Sequence, residues 1–323
     1  MTQERWRPSA TRAMLERRAQ LLADVRRFFA ARAVLEVDTP IVVNHAVSDV
    51  HLSSARVVFE GPGEYFLHTS PEYAMKRLLA SGSGDIFQIC HVARGFEHSR
   101  LHNAEFTLIE WYRTGFTLGD LMAEVEALVR AVCPELALGV GERVSYRDAF
   151  LGSLGLDPFE ASTAQLQTAA QSLGFTPDTP AHRRDRDDLL DLLMAAHIGP
   201  QLGRDGLTFI HSYPASQAAL ARLDPLDPRT AQRFELYRDG VELANGFQEL
   251  ASSSEQRARF ASDNDERRRR GLPVIRVDEY LLQALAAGLP GCAGVALGFD
   301  RLLMLAAGRS HIDEVIAFPT ERA

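Results

Sequence analysis

Three groups of residues in this chain have types and spacings that could do chemistry. The first runs from Arg94 to Tyr112, RGFEHSRLHNAEFTLIEWY. Its second half, Glu105–Arg113, reads as a strand with clear parity. Phe106, Leu108, Glu110 and Tyr112 point one way, and Glu105, Thr107, Ile109 and Trp111 the other. Arg94, His98, Arg100 and His102 gather near the loop that precedes it. A cation cluster beside an aromatic face suits a nucleotide, with arginine for phosphate and a ring for the base. The plainer alternative is a solvated hairpin with surface charges. The His98/His102 spacing would also admit a metal, but no third ligand stands nearby in the sequence.

The second group lies in a late hairpin, Arg233–Tyr237 and Val241–Leu250, around the turn pair Asp239-Gly240. A two-residue turn sets Tyr237 opposite Glu242 and Glu235 opposite Ala244. Glu235 and Glu242 then form a cross-strand diagonal pair. Two carboxylates that close need a cation between them. In an unbroken ladder Asn245, Phe247 and Glu249 fall at the opposite parity to Glu242, and Asn245-Gly246-Phe247 is poor strand material. The third group is GCAGVALGFDRLLMLAAG, Gly291–Gly308, where small residues crowd a strand that enters a helix. Arg301 sits at that helix start, where backbone N–H groups favour anions.

The elements that must position these groups follow from periodicity and punctuation. Ser9 or Thr11 caps a helix whose face is Leu15, Leu22, Val25 and Phe29, ending near Ala33. Glu36–Val43 reads as a strand interrupted by Pro40, which marks an edge or a break. Short strands around Val57–Phe59 and Tyr65–His68 flank Glu60-Gly61-Pro62-Gly63. Ser70-Pro71-Glu72 starts a helix that stops at Gly82. A strand over Asp85–Phe96 precedes Glu105–Arg113, and a helix with Leu121, Val125, Leu128 and Val129 on one face follows. Residues 134–206 read as a helical insertion, with a helix at Asp185–His197. Ser252 and Glu255 form a capping box for a helix to Arg270, closed by Gly271. Its Arg267–Arg270 run suits a solvated helix end. A helix from Asp278 to Ala287, a strand over Gly291–Gly298 and a helix from Asp300 to Ala307 complete the chain. Strands and helices do not alternate, so the expected class is α+β: an antiparallel sheet flanked by helices.

Composition narrows the function. The 323 residues carry 35 Lys+Arg against 43 Asp+Glu, a net charge of −8, which argues against a protein built to hold a nucleic-acid backbone. No segment approaches the roughly 20 apolar residues that span a bilayer, and Met1–Pro8 has no signal-peptide core. Cys90, Cys133 and Cys292 make neither a CxxC nor a disulfide framework, so a cytoplasmic location is expected.

Taken together, the three groups resemble the catalytic core of class II lysyl-tRNA synthetases. Arg26–Pro40 resembles motif 1 of that class, Arg94–Tyr112 motif 2, Gly294–Met304 motif 3, and Glu242–Glu249, ELANGFQE, the lysine-pocket strand. Only about a dozen residues precede the first helix, so no N-terminal anticodon-binding OB domain is expected, and 1–323 reads as one catalytic domain with the insertion. Ser70 stands where the synthetase pattern has alanine, and Ala296 where it has glycine. That pairing resembles the elongation factor P lysyltransferase family, which activates (R)-β-lysine with ATP and transfers it to a lysine ε-amine of elongation factor P.

The resemblance implies roles residue by residue. Arg94 contacts the α-phosphate, and Phe106 stacks on adenine. Asn103 and the Leu243 backbone hold the nucleotide, His102 and Arg301 take the outer phosphates, and Gly298 lies against it. Gly95 and Phe96 stand where the family has Asn and Glu after the motif 2 arginine, which leaves Glu97 or a backbone group to meet adenine. Glu235 and Glu242 hold Mg²⁺. Ser70, Pro71, Glu72, Glu110, Tyr112, Asn245, Phe247, Glu249 and Ala296 shape the amino-acid pocket, and Arg94 and Arg301 stabilise charge in the reaction. A β-bulge between Glu242 and Asn245 is then expected, since metal and substrate must share a face. A homodimer through Arg26–Pro40 is expected, because that strand is apolar yet carries Pro40, which suits an edge covered by a partner. Neither tRNA nor a membrane is expected as partner. The alternatives are a synthetase-like enzyme acting on tRNA or a small amine, and an inactive regulatory paralogue.

Overall fold

A computed structural model describes residues 6–95, 98–137, 139–175 and 185–323. Phe96 and Glu97, and with them the question of the displaced glutamate, lie outside the described residues. In chain order the elements are α1 (Arg12–Ala30), β1 (Leu35–Glu36), β2 (Val42–Val43), β3 (Arg56–Val57), β4 (Tyr65–Leu67), α2 (Glu72–Ala80), β5 (Ile86–Ala93), β6 (Glu105–Thr114) and α3 (Leu118–Val132). There follow β7 (Glu142–Ser145), α4 (Tyr146–Leu154), α5 (Thr163–Ser172), α6 (Arg186–Leu193), β8 (Thr208–Pro214), β9 (Thr230–Arg238) and β10 (Val241–Gln248). The last elements are α7 (Ser253–Arg270), α8 (Glu279–Gly288), β11 (Cys292–Gly298) and α9 (Phe299–Ala306). Among the described residues no helix is long and apolar enough to cross a membrane.

The chain forms two compact units. The first comprises residues 1–117, 131–133 and 249–323, and the second 118–130 and 134–248. In the first, strands run in the order β1-β5-β6-β11. β1 lies parallel to β5, and the other pairs are antiparallel. A separate three-stranded sheet is ordered β2-β4-β3. Helix α1 covers the β5–β6 face: Phe29 stacks on Phe87 with ring centroids 4.4 Å apart and meets Trp111 edge-on. In the second unit the order is β10-β9-β8-β7, antiparallel except for β7 with β8. Its core is built by Tyr146, Phe150, Leu166, Leu190, Leu193 and Ile210. Helices therefore pack on mostly antiparallel strands, the α+β arrangement expected. Residues 134–206 contain α4, α5 and α6, but also β7.

Several local expectations change. Thr11 does cap α1, accepting from the Met14 N–H. The buried face, however, is Met14, Leu21, Val25, Phe28 and Phe29, with Leu15 and Leu22 only half-buried. The expected strand Glu36–Val43 is two fragments in two sheets. After Val37 donates to the Phe87 carbonyl the ladder stops just before Pro40, and Val42–Val43 pairs with β4 in the other sheet. Ser252 caps α7 through the Glu255 N–H, but Glu255 turns its carboxylate to Arg259 instead of closing a capping box. Arg267 is buried instead of solvated. It donates to the backbone carbonyls of Pro273 and Asp49, tying the end of α7 to the loop before β3.

Candidate active site

In the first unit the sheet register sets out one wall of a polar pocket. Glu110 on β6 stands between Gln88 on β5 and Ala296 on β11, while Tyr112 is paired with Gly294. Side chains of paired residues leave a sheet on the same side. Glu110 is buried, and both its oxygens are held: Ser70 Oγ donates to Oε2 at 2.7 Å and the Tyr112 hydroxyl to Oε1 at 2.8 Å. Ser70 also accepts from the Glu72 N–H at 3.0 Å. It thus caps α2 from one residue before Pro71, which itself occupies the N-cap position. Glu249, just past β10, donates its N–H to the Cys292 carbonyl on β11, and its buried carboxylate joins the same pocket.

The close approach of these groups depends on Gly294. A Cβ there would lie 2.3 Å from the Tyr112 ring and 2.6 Å from Glu249 Oε1. The small residues of Gly291–Gly298 thus make room for a ring and a carboxylate.

Lys76 was not anticipated from the sequence. Its ammonium lies 2.7 Å from Glu72 Oε1 and 2.5 Å from Glu249 Oε2, and the side chain is 2% exposed. The only sequence signal was the four-residue spacing from Glu72 on an amphipathic helix. Burial disfavours the ammonium, but Glu249 and Glu72 outweigh it and hold the lysine charged, with its pKa raised. Burial raises Glu110 to about 7, Glu72 pushing the same way against the Ser70 and Tyr112 hydrogen bonds. Burial likewise raises Glu249, to about 8, opposed by Lys76. Neither Glu249 oxygen has a well-directed hydrogen-bond donor. The pocket is thus rich in acceptors and short of donors, which suits a ligand carrying ammonium groups.

Motifs 2 and 3 also meet within this unit. The Arg94 guanidinium sits 5.2 Å from the Phe106 ring centroid, and its Nε donates to the Thr69 carbonyl at 3.1 Å. Arg301 Nη2 lies 2.7 Å from His102 Nε2 and its Nε donates to the Leu101 carbonyl, while His102 Nδ1 lies 2.8 Å from Ser99 Oγ. Since a guanidinium can only donate, His102 Nε2 accepts and Nδ1 carries the proton. Gly95 takes φ +41° and donates its N–H to the Ser53 carbonyl. Gly298 opens α9 with no side-chain cap, leaving its first N–H groups unclaimed by a capping side chain. Asn103 is buried and used structurally: its amide nitrogen donates to the Glu105 carbonyl and its oxygen accepts from the Thr320 N–H. Asp300, next to Arg301 in the first turn of α9, accepts from Arg18 and from the Thr107 N–H.

In the second unit, Asp239 and Gly240 both have positive φ, +51° and +72°, as a type I′ hairpin turn requires. Glu242 pairs with Tyr237 as expected. The register then shifts between Glu242 and Ala244, so Glu235 pairs with Asn245 and not with Ala244. This is the expected bulge. It adds one residue at Leu243 and puts Glu242 on the same face as Asn245 and Phe247. Burial records the slip: Leu243 and Ala244 are both buried, whereas Glu242, Asn245 and Phe247 are half-buried. Asn245-Gly246-Phe247, poor strand material by type, pairs regularly here with Arg233, Phe234 and Glu235. The Asn245 side-chain oxygen is buried without a donor. Glu235 is engaged by two side chains, Arg233 and the Tyr237 hydroxyl at 2.7 Å.

Comparison with known proteins decides the family. The model of the class II tRNA synthetases of the D, K and N types matches residues 4–322. The chain is 49% identical over 328 residues, all of both chains, to the elongation factor P–(R)-β-lysine ligase of Vibrio cholerae. It is 48% identical to the enzymes of that name from Erwinia tasmaniensis and Salmonella typhi, each match covering 98% of both chains. The chain belongs to the elongation factor P–(R)-β-lysine ligase family. It is therefore a ligase on a class II synthetase fold.

Proposed function

We propose that this enzyme activates (R)-β-lysine with ATP and transfers it to the ε-amine of a lysine on elongation factor P. The observation that carries the reading is the pocket of Ser70, Glu72, Glu110, Tyr112, Glu249 and Ala296. Three carboxylates gather in it, and a diamino acid brings two ammonium groups. In the first step the substrate carboxylate attacks the α-phosphorus of ATP. The bond to the β-phosphate oxygen breaks, giving β-lysyl-adenylate and pyrophosphate. In the second step the uncharged lysine amine attacks the adenylate carbonyl, AMP leaves, and the amine proton passes to solvent. No covalent bond to the enzyme is needed.

The chain's own contribution is position and charge. Phe106 offers a face for adenine and Arg94, lying over it, a cation for the α-phosphate. Arg301, steadied by His102, serves the outer phosphates, together with the N-terminus of α9 at Gly298. The Gly95 backbone adds a nucleotide contact. Asn103 serves the nucleotide by fixing the motif 2 loop. Pro71 starts α2 so that Glu72 faces the pocket. Asn245 and Phe247 are assigned to the amino acid by the resemblance alone, and the orphaned Asn245 oxygen suits an ammonium donor.

Mg²⁺ fits as well. Proteins ordinarily give this ion one or two carboxylates and leave the rest of its shell to phosphate and water. Glu242 and Glu235 share a hairpin face, and Arg233 and Tyr237 hold Glu235 in place. The ion would offset phosphate charge. A homodimer is part of the reading: among the described residues β1 pairs only with β5, and Leu35 on it is exposed. A cytoplasmic location is supported by an ATP-dependent reaction on a translation factor.

The test is pyrophosphate exchange with (R)-β-lysine and with α-lysine, followed by mass spectrometry of elongation factor P. Exchange that depends on β-lysine, with a gain of one β-lysyl group on the factor, is the expected result. Exchange without protein modification would point instead to tRNA or a small amine as acceptor.

A further inference from the structure

The buried ammonium of Lys76 is not needed to bind a cationic substrate, and at first sight it opposes it. It sits inside the cluster that receives the substrate's own ammonium groups, 2.7 Å from Glu72 and 2.5 Å from Glu249. Lysine is among the residues least often fully buried, and a buried charge persists only when paired. Lys76 is paired twice, and its partners come from different parts of the chain.

The groups around it are Glu72 on its own helix, Glu249 past β10, Glu110 on β6, which the Tyr112 hydroxyl holds, and Cys292 on β11. Helix α8, packed against α2, buries Leu281, Leu282 and Leu285 and carries its only carboxylate, Glu279, at its first position. With all three carboxylates ionised, as a bound cation favours, three against one ammonium leave two negative charges. That is the number of ammonium groups on a diamino acid.

We propose that Lys76 is the positioning cation of the pocket: it fixes Glu72 and Glu249 in place and sets the pocket's charge to match a substrate with two ammonium groups. This rests on the reading of the pocket as the diamino-acid site. Without Lys76, Glu72, Glu110 and Glu249 face one another with no counter-ion. Buried like charges cannot all ionise, so one more carboxylate is protonated in the free enzyme. The substrate must then expel that proton on binding. In the wild-type enzyme Lys76 lowers this cost by one proton, because its charge favours ionisation of the carboxylates it touches.

The experiment measures KM for (R)-β-lysine and for ATP by pyrophosphate exchange, between about pH 6 and pH 9. The enzymes are wild type, Lys76→Met and the double variant Glu72→Gln/Lys76→Met. One linked proton changes an equilibrium tenfold per pH unit. Lys76→Met is expected to raise KM for β-lysine at neutral pH and to steepen its fall with pH by about one further logarithmic unit per pH unit. KM for ATP should follow wild type. The double variant, which removes one carboxylate with the ammonium, should return to the wild-type slope at a weaker absolute KM. A merely structural lysine would displace the curve without changing its slope, and parallel curves would overturn the proposal. Equal effects on both substrates would overturn it too. Should Lys76→Met not fold, the electrically balanced double variant carries the test. Folding with the wild-type slope supports the proposal, and misfolding or a changed slope defeats it. A wild-type enzyme without β-lysine-dependent exchange would overturn the function and this proposal together, whereas saturable exchange with parallel curves overturns this proposal alone.

Discussion

Ala296 on β11 stands directly opposite Glu110 on β6. Its methyl therefore borders the carboxylate that Ser70 and Tyr112 hold from two sides. A β-amino acid carries its amine one carbon further from the reacting carboxylate than an α-amino acid does. The wall beside Glu110 is where that difference must be accommodated.

Ala296→Gly should raise activity with α-lysine relative to β-lysine, because it opens the space an α-amine would use. One misplaced methyl in a pocket is worth about 1–3 kcal/mol of discrimination. The ratio of kcat/KM values in pyrophosphate exchange should therefore move by about tenfold or more toward α-lysine. A ratio that stays put would remove Ala296 from the pocket wall. Ser70 acts differently. Its hydroxyl proton is committed to Glu110 and one lone pair to the Glu72 N–H, so Ser70→Ala should loosen both carboxylates. The measurement is KM for β-lysine, expected to rise, with KM for ATP little changed.

Much of the frame was legible because it depends on neighbours in sequence. Asp239-Gly240 specifies a turn with two positive φ values, Thr11 caps α1, and Gly271 closes α7 at φ +72°. The bulge at Leu243 was legible for another reason: the spacing of Glu242 and Asn245 cannot share one face without it. Lys76 was hidden because its burial is decided by Glu249, distant in the chain, and a lysine on an amphipathic helix ordinarily reaches solvent. Arg267 was hidden likewise, inside a run of arginines whose other members are exposed. Pro40 signalled a break but not that the fragments would join different sheets.

The edge strand β1 offers a test of the dimer. Leu35, on the segment read as motif 1, is 56% exposed, and Ile41, just past that segment, is 40% exposed. A charged residue at Leu35 should be tolerated by the monomer fold, since that side chain contributes little to the core, but not by an apolar interface. Leu35→Glu is expected to shift the sedimentation coefficient from dimer to monomer without lowering the melting temperature of the monomer. A wild-type enzyme that sediments as a stable monomer at micromolar concentration would sink the interface.

Gly294→Ala tests the packing of the pocket. Its Cβ would collide with the Tyr112 ring and with Glu249 Oε1. Overpacking of this kind costs typically about 1–3 kcal/mol. The melting temperature should fall, and β-lysine-dependent exchange should be lost before folding is, since the ring and the carboxylate must separate. Normal β-lysine kinetics in a folded Gly294→Ala enzyme would show that Tyr112 and Glu249 do not need to stand together.

The raised carboxylates also make the free enzyme's stability depend on pH. Burial lifts Glu110 to about 7 and Glu249 to about 8, above the values they have in an unfolded chain. A group whose folded pKa is raised binds its proton more tightly when folded. Its contribution to stability is complete below the unfolded pKa, near 4.3 for glutamate, and is lost as pH rises through the folded value. The unliganded enzyme should therefore lose stability between about pH 5 and pH 8 from these two groups. β-Lysine reverses the sign, because its ammonium groups favour the ionised carboxylates. The ligand-induced rise in melting temperature should grow over the same interval. Glu110→Gln removes one of the two titrations, so it should flatten the decline in the free enzyme and reduce the growth of the ligand effect. Thermal scans at several pH values, with and without β-lysine, read both quantities. A stability that rises with pH in this window, or a ligand effect that shrinks, would mean the pocket carboxylates are ionised without a bound cation.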